Sequence, residues 1–449
     1  MLAPESLALL TDLYQLTMAQ AYFNEHKTER ATFSLFIRSY PLNRAFFISA
    51  GLHDVLKFLE DLAFDRAALE YLSRQKFFTH DFLKFLEELR FTGDVWALPE
   101  GRLFFKDEPI LEVNAPIIEA QLVETFIINQ INLQSLIATK AARCVLAAGK
   151  RAVVDFALRR THGIDAGIKV ARSSYLAGFA GTSNVLAGKK YEIPTVGTMA
   201  HSFVTSFGEE SDAFRSYAAS FPEDAILLID TYDTIAGARK AVEVAEEMAA
   251  RGQRLRGVRI DSGDLAGLAI KVRKILDEAG FSDVAIIGSG GLDEYDLSEF
   301  SRAQIPFDSY GVGTKMGTSS DAPWSDMAYK LVEYGDKPVL KRSPGKSSWP
   351  GAKQLFRQRN NQGQLERDIV GLRDEAIADT EALLRKVMEG GKIVGTLPTL
   401  AQSRAGLAEE LGRLADLTKA IRDPVLYPIE FSPELVRLRE ETERKLIKP

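Results

Sequence analysis

The sequence predicts an α/β fold built on a parallel sheet, and three observations carry that reading. Four short apolar runs, 225–229, 257–260, 284–287 and 308–312, lead into Asp230, Asp261, Gly288 and Gly313. Those ends lie 31, 27 and 25 residues apart, about the length of one strand–helix–strand unit. Helical patterns such as 236–251 and 265–279 fill the gaps. This alternation builds a parallel sheet, open or closed into a barrel, with its ligand at the carboxyl ends of the strands. Two earlier runs fit the scheme: 152–156 leads to Arg159, and 193–198 leads to His201.

The elements before this region alternate. Thr11 is placed to cap a helix through Leu13, Leu16, Thr17, Ala21 and Tyr22. Residues 32–37 alternate polar and apolar, as a half-buried strand does. Segments 53–64 and 80–91 nearly repeat one another, with Leu and Phe at helical spacing, and read as two packing helices. Residues 91–112 read as strands joined by Gly and Pro turns. Residues 140–149 form a helix ending at Gly149. After 340 comes a basic turn, 341–348, and the charged tail 365–449 reads as mainly helical, with Pro breaks. The expected domains are 1–135, 136–335 and a helical segment, 336–449.

Composition excludes several classes. The 449 residues carry 56 Lys+Arg and 62 Asp+Glu, a net charge of −6, which is no footprint for non-specific nucleic-acid binding. At 46% hydrophobic and 26% charged the chain is not globally disordered. Its single cysteine, Cys144, supports neither an intrachain disulfide nor a cysteine zinc site, and reads as a small buried apolar residue. No secretory signal is visible and no apolar run approaches about 18 residues, so a cytoplasmic protein without membrane contact is expected.

Chemistry gathers at the strand ends. Gly288-Ser-Gly-Gly291 and Gly311-Val-Gly-Thr314 follow successive strands, where glycines let backbone N–H groups approach an anion. Arg259 and Asp261 share a strand face, with Ser262-Gly-Asp264 after them. Asp230 and Asp233 bracket Thr231-Tyr232, where carboxylates suit Mg²⁺ held through waters. Arg159 and Arg160 suit a phosphate or carboxylate. Of five histidines, His26, His53 and His80 sit at helix ends and His162 is ambiguous, while His201 closes a strand. A lone histidine is usually structural, so the residues alone leave its role open.

Taken together, Leu10-Thr-Asp-Leu-Tyr-Gln15, Phe91-Thr-Gly-Asp-Val-Trp96, Lys140-Ala-Ala-Arg143, Gly197-Thr-Met-Ala-His-Ser202, Arg259-Ile-Asp-Ser-Gly-Asp264, Gly288-Ser-Gly-Gly-Leu292 and Gly311-Val-Gly-Thr314 resemble the nicotinate phosphoribosyltransferase family. The resemblance runs from the first helix past residue 330 and is weaker over the last hundred residues. It implies an irregular TIM-like α/β barrel plus an α/β sandwich formed by the N-terminal region and the C-terminal segment. It also implies a homodimer with shared active sites. Some members carry a cysteine metal knot near the C-terminus; no cysteines stand there in this chain, so no structural zinc is expected.

The implied reaction joins nicotinate to phosphoribosyl pyrophosphate and is coupled to ATP, with Mg²⁺ on the pyrophosphate and no direct protein ligation of metal. The resemblance assigns His201 as the phosphorylated residue and Asp261 and Asp230 as catalytic. Arg159, Arg259, Gly290, Gly291, Gly313 and Thr314 would bind the phosphoribosyl substrate. Tyr14, donated by the partner subunit, and Phe156 would sandwich the pyridine ring. Thr198 would line the ring pocket, and Ser183 would favour a carboxylate over an amide, the amide-using sister enzyme having an aspartate there. The alternatives are a nicotinamide or quinolinate enzyme, an unrelated phosphate-binding barrel and a non-catalytic binding module.

Overall fold

The computed structural model describes residues 4–341 and 348–447. Contacts divide the chain into two units, Met1–Thr139 with Ala322–Pro449, and Lys140–Asp321. Most of the basic turn expected at 341–348 lies outside the described residues.

The Lys140–Asp321 unit contains the expected parallel sheet, a curled half-barrel. In space its six strands run Gly181–Thr182, Ala152–Asp155, Ser309–Val312, Ala285–Gly288, Gly257–Ile260 and Ile226–Leu228, every neighbour parallel. The apolar runs make strands because one sheet face is fully buried: Val258, Ile260, Ile286 and Leu227 line it side by side. The intervening helices, Thr234–Ala249, Leu265–Glu278 and Glu294–Arg302, are each started by an aspartate. Asp233 accepts from Ala236 N at 2.7 Å, Asp264 from Gly267 N at 3.2 Å, and Asp293 from Tyr295 N at 3.0 Å. Asp233 and Asp264 are therefore committed to the backbone, and part of the acidic cluster read from the sequence is capping.

Residues 193–198 do not form the expected strand. Pro194 offers no N–H, and pairing is confined to Thr182 N to Pro194 O and Val196 N to Thr182 O, 3.0 Å each. His201 accordingly opens a short helix, His201–Thr205, after an irregular segment. The Lys140-Ala-Ala-Arg143 motif is structural. Lys140 Nζ meets Glu294 Oε2 at 2.5 Å and Asp321 Oδ1 at 2.8 Å, and Arg143 Nε meets Glu294 Oε1 at 3.1 Å, with Lys140, Arg143 and Glu294 all buried. Cys144 is fully buried on the same helix, Glu124–Ala148, and burial pushes its thiol pKa up.

The other unit draws on both ends of the chain. Its seven-stranded sheet runs Lys337–Pro338, Met327–Tyr334, Arg30–Ile37, Leu111–Pro116, Asp94–Ala97, Arg385–Glu389, Lys392–Ile393, all neighbours antiparallel. The strand expected to be half-buried, Arg30–Ile37, is buried over seven of its eight residues because it is central. The first long helix, Leu13–Asn24, is capped by Asp12 with Gln15 in a capping box, not by Thr11. The repeated segments are the helices Leu52–Glu60 and His80–Glu88. Phe58 stacks on Phe126 at 3.8 Å, and Phe82 packs at 5.8 Å from Phe23.

The C-terminal expectation is corrected: its first half is β. Lys353–Arg359, Leu365–Leu372, Thr380–Ala382 and Ile429–Phe431 form a four-stranded sheet, and among the described residues of this segment the helices are Leu400–Arg413 and Pro433–Ile447. Arg357, fully buried in that sheet, donates to Asp368 at 2.9 and 2.6 Å, to Glu410 at 2.9 Å and to Leu103 O at 2.9 Å. Charged residues that read as solvent-facing thus pair with one another inside.

Candidate active site

Arg259, third residue of the strand Gly257–Ile260, sits at the centre of the site. Its Nη1 donates to Thr198 Oγ1 at 2.6 Å, and its guanidinium lies 5.8 Å from the Phe156 ring centroid. Nη2 stands 3.7 Å from Asp261 Oδ1, and buried Nε has no hydrogen-bond partner among the described residues. Burial pushes the pKa of Arg259 down, with the positive charge of Arg159 acting in the same direction, while Asp261 and Asp230 oppose. A desolvated guanidinium with an orphaned N–H is set up for an anion.

The acidic side is equally fixed. Asp261 Oδ1 accepts from Ser289 Oγ at 2.6 Å. Asp230 Oδ2 accepts from Asp261 N at 2.9 Å and Ser262 Oγ at 2.6 Å, while its buried Oδ1 has no partner among the described residues. His201 Nδ1 lies 3.2 Å from Thr231 Oγ1, and Nε2 lies 4.0 Å from Asp261 Oδ2. Among the described residues no group of three or more His, Cys, Asp or Glu side chains forms a metal cage. The free carboxylate oxygens of Asp230 and Asp261 suit a cation held through its own waters.

Glycines make the close approaches. A Cβ on Gly290 would fall 1.8 Å from Asp261 O, and its φ of +97° is left-handed. A Cβ on Gly311 would fall 2.4 Å from the Phe156 ring. Gly291 is exposed, with nothing within 4 Å of its would-be Cβ. Gly313 lies against Phe156 O, and Thr314, itself exposed, opens the short turn Thr314–Gly317, whose Met316 and Gly317 are buried.

Asp155 holds the ring side together. Its carboxylate accepts from Thr182 Oγ1 at 2.6 Å and Ala157 N at 2.8 Å, and its carbonyl accepts from Ser183 N at 2.8 Å. The turn bearing Phe156 and the residue pair Thr182-Ser183 are thereby tied; burial raises the Asp155 pKa. Arg159 is exposed, in the single turn Leu158–Arg160 just beyond.

Phe156, Ser183, Thr198, His201, Asp230, Arg259, Asp261, Gly290 and Gly313 are therefore joined through this network. Tyr14 is not part of it. It belongs to the other unit, half-exposed, where its hydroxyl donates to Glu124 Oε2 at 3.2 Å and burial followed by Glu124 pushes its pKa up to about 12. The sequence reading missed Ser289 and Thr231 as partners of Asp261 and His201. Ser289 was visible inside the glycine motif; Thr231 had no signal beyond its position after Asp230.

Comparisons with known proteins identify the family. Models of the nicotinate phosphoribosyltransferase N-terminal domain, the family's main region and its C-terminal domain match residues 9–132, 152–335 and 377–439. The chain is 46% identical over 437 residues to nicotinate phosphoribosyltransferase pncB2 of Mycobacterium tuberculosis, covering 96% of this chain and 94% of that protein. It is 37% identical over 463 residues to nicotinate phosphoribosyltransferase of Bacillus subtilis, with the same coverage. The crystal structure of human nicotinic acid phosphoribosyltransferase is similar at a TM-score of 0.87 and 31% identity, covering 96% of this chain and 99% of that one. The chain belongs to the nicotinate phosphoribosyltransferase family.

Proposed function

We propose that the protein joins nicotinate to phosphoribosyl pyrophosphate, releasing nicotinate mononucleotide and pyrophosphate, with ATP hydrolysis coupled through a phosphohistidine at His201. The observation that carries this reading is Arg259: a largely buried cation whose buried Nε–H has no partner among the described residues, beside a half-buried aromatic ring and two carboxylates, at the carboxyl end of a parallel sheet. Its fold description is an irregular TIM-like barrel with an α/β sandwich, its functional division 1–135, 136–335 and 336–449, and its setting the cytoplasm. No helix among the described residues is long and apolar enough to cross a membrane.

The pyridine nitrogen attacks the sugar's C1 as pyrophosphate departs, so positive charge develops on the ribosyl ring and negative charge on the leaving group. Positioning and electrostatics suffice, and no protein nucleophile toward the sugar is needed. Arg259 and Arg159, with the Gly290-Gly291 and Gly313-Thr314 backbone, meet the phosphates. Asp230 and Asp261 face the cationic side. Mg²⁺ bound with the pyrophosphate would supply charge neutralisation of the leaving group, and the unpartnered Asp230 Oδ1, with Asp261 Oδ2 beside it, would hold its waters. Phe156 stacks on the pyridine, and Tyr14 of a partner subunit covers the other face, an offset stack adding about 0.5–1.5 kcal/mol beyond burial. Incubation with radiolabelled nicotinate and phosphoribosyl pyrophosphate, with and without ATP, tests the reading. Labelled mononucleotide is expected, and its absence in both mixtures sinks it.

Three further outcomes follow. Gly290→Ala forces the backbone at Asp261 to move, and a misplacement near 1 Å lowers kcat/KM by about 100-fold, while Gly291→Ala is expected to be milder. Equal losses in the two variants would remove the steric account. Nicotinate is expected to be used in preference to nicotinamide, since Ser183 donates to a carboxylate where an aspartate would repel it; comparable kcat/KM for the two would overturn this. Mixing Tyr14→Ala protomers with protomers inactivated at Asp261 is expected to restore activity in heterodimers, and no recovery would place Tyr14 outside a shared site.

A further inference from the structure

The His201 side chain is 43% exposed and follows an irregular segment, so its ring needs an anchor outside its own backbone. Thr231 is built to be one. It follows Asp230, whose Oδ2 is held by Asp261 N and Ser262 Oγ, and it precedes Asp233, which caps the sixteen-residue helix Thr234–Ala249. Its Oγ1 lies 3.2 Å from His201 Nδ1. On the ring's other side Asp261 Oδ2 faces Nε2 at 4.0 Å, outside hydrogen-bond range but close enough to act through its charge. Ser289 holds the second oxygen of that carboxylate at 2.6 Å, so Asp261 cannot swing away without losing a bond.

A neutral imidazole has one N–H and one lone-pair nitrogen, and a hydroxyl is able to meet either, whereas an ionised carboxylate only accepts. The proton is therefore favoured on the nitrogen that faces Asp261. We infer that Thr231 is a positioning residue for the reaction: in the resting enzyme its hydroxyl donates to Nδ1 of neutral His201, keeping the ring proton on Nε2 toward Asp261 and aiming the Nδ1 lone pair, and the hydroxyl turns aside as that lone pair forms the N–P bond to the γ-phosphorus, the P–O bond breaks and ADP leaves. Without that bond the ring turns about its Cβ–Cγ axis and the tautomer is no longer specified. The mechanistic weight of this rests on the proposed role of His201, but the tautomer itself does not.

The experiment uses full-length protein with ¹⁵N-labelled histidine. Long-range ¹H–¹⁵N correlation spectra are recorded at about pH 8, where an ordinary imidazole is neutral. The His201 signals among the five histidines are assigned by their loss in His201→Asn. Wild type is expected in the Nε2–H tautomer, Thr231→Val as a mixture and Thr231→Ser as wild type. In parallel, the rate of labelling by γ-labelled ATP is expected to fall about tenfold or more in Thr231→Val and to recover in Thr231→Ser, as loss of ring alignment predicts. A wild-type ring that is mixed or protonated on Nδ1, a Thr231→Val ring unchanged in tautomer, or a Thr231→Ser protein as impaired as Thr231→Val overturns the inference. A Val-sensitive single tautomer in a protein that ATP never labels upholds Thr231 and overturns the phosphohistidine instead.

Discussion

His201→Ala is expected to lose two properties at once: covalent label from γ-labelled ATP, and stimulation of mononucleotide synthesis by ATP. Slow ATP-independent synthesis is expected to survive, because Arg259, Phe156 and the glycine turns that would hold the substrates remain. The coupling is a linkage. A phosphoryl group on His201 adds anionic oxygens beside the groups that meet the phosphates, so the phosphorylated and free enzymes bind substrates with different affinity. Couplings of this kind are typically worth about 1–3 kcal/mol, which corresponds to roughly 5–150-fold in apparent substrate affinity. Wild type with ATP is accordingly expected to have lower KM values than His201→Ala by a factor in that range. The label should be acid-labile, base-stable and confined to the peptide containing His201. A His201→Ala enzyme that ATP still stimulates would show that coupling runs elsewhere.

The second large effect concerns stability. Arg357 is fully buried between Asp368 and Glu410, and Glu108 lies close by with its carboxyl pKa raised well above the usual range, by burial first and the Asp368 charge second. Removing only the cation strands the Asp368 charge, leaving it the Tyr427 hydroxyl at 3.1 Å and the Glu108 carboxyl as side-chain partners. Breaking a buried pair in this way costs about 3–5 kcal/mol, whereas replacing both charges with apolar groups is often neutral. Arg357→Met should therefore lower the urea midpoint strongly, and Arg357→Met with Asp368→Leu should recover much of the loss. Glu410 retains Arg102 at 2.7 Å in both proteins, so it does not confound the comparison. A single variant within about 1 kcal/mol of wild type would mean that water or relaxation satisfies Asp368.

The same residue explains part of what the sequence concealed. Arg357, Asp368 and Lys353 lie buried on strands of the C-terminal sheet, so a reading that places charges outside turns that sheet into solvent-facing helix. The parallel sheet was legible because its long strands are apolar runs stopped by Asp or Gly. Its edge strand Gly181–Thr182 has two residues and carries no periodicity. Residues 193–198 looked like a strand by composition, but Pro194 limits their pairing. At the site, Arg259, Asp261 and the glycines stood out because few other roles need those residues in that order. The hydroxyls of Thr231 and Ser289 and the tie made by Asp155 did not, because their contribution lies in aim, which spacing does not record. Tyr14 was placed by resemblance alone, and within its own unit its hydroxyl serves Glu124.

The pairing of Arg30–Ile37 with Met327–Tyr334 sets a schedule for biosynthesis. Arg38 and its partner Asp326, just beyond those strands, are 288 residues apart. At translation rates of about 5–20 residues per second, the early strand waits roughly 15–60 s on the ribosome for its neighbour. During that interval one hydrogen-bonding edge of a largely apolar strand is open to other nascent chains. In the Lys140–Asp321 unit the longest wait is about half as long, for Ala152–Asp155 pairs with Ser309–Val312, 157 residues later. Chaperone demand in the cell therefore falls most heavily on the unit that joins the two ends of this polypeptide.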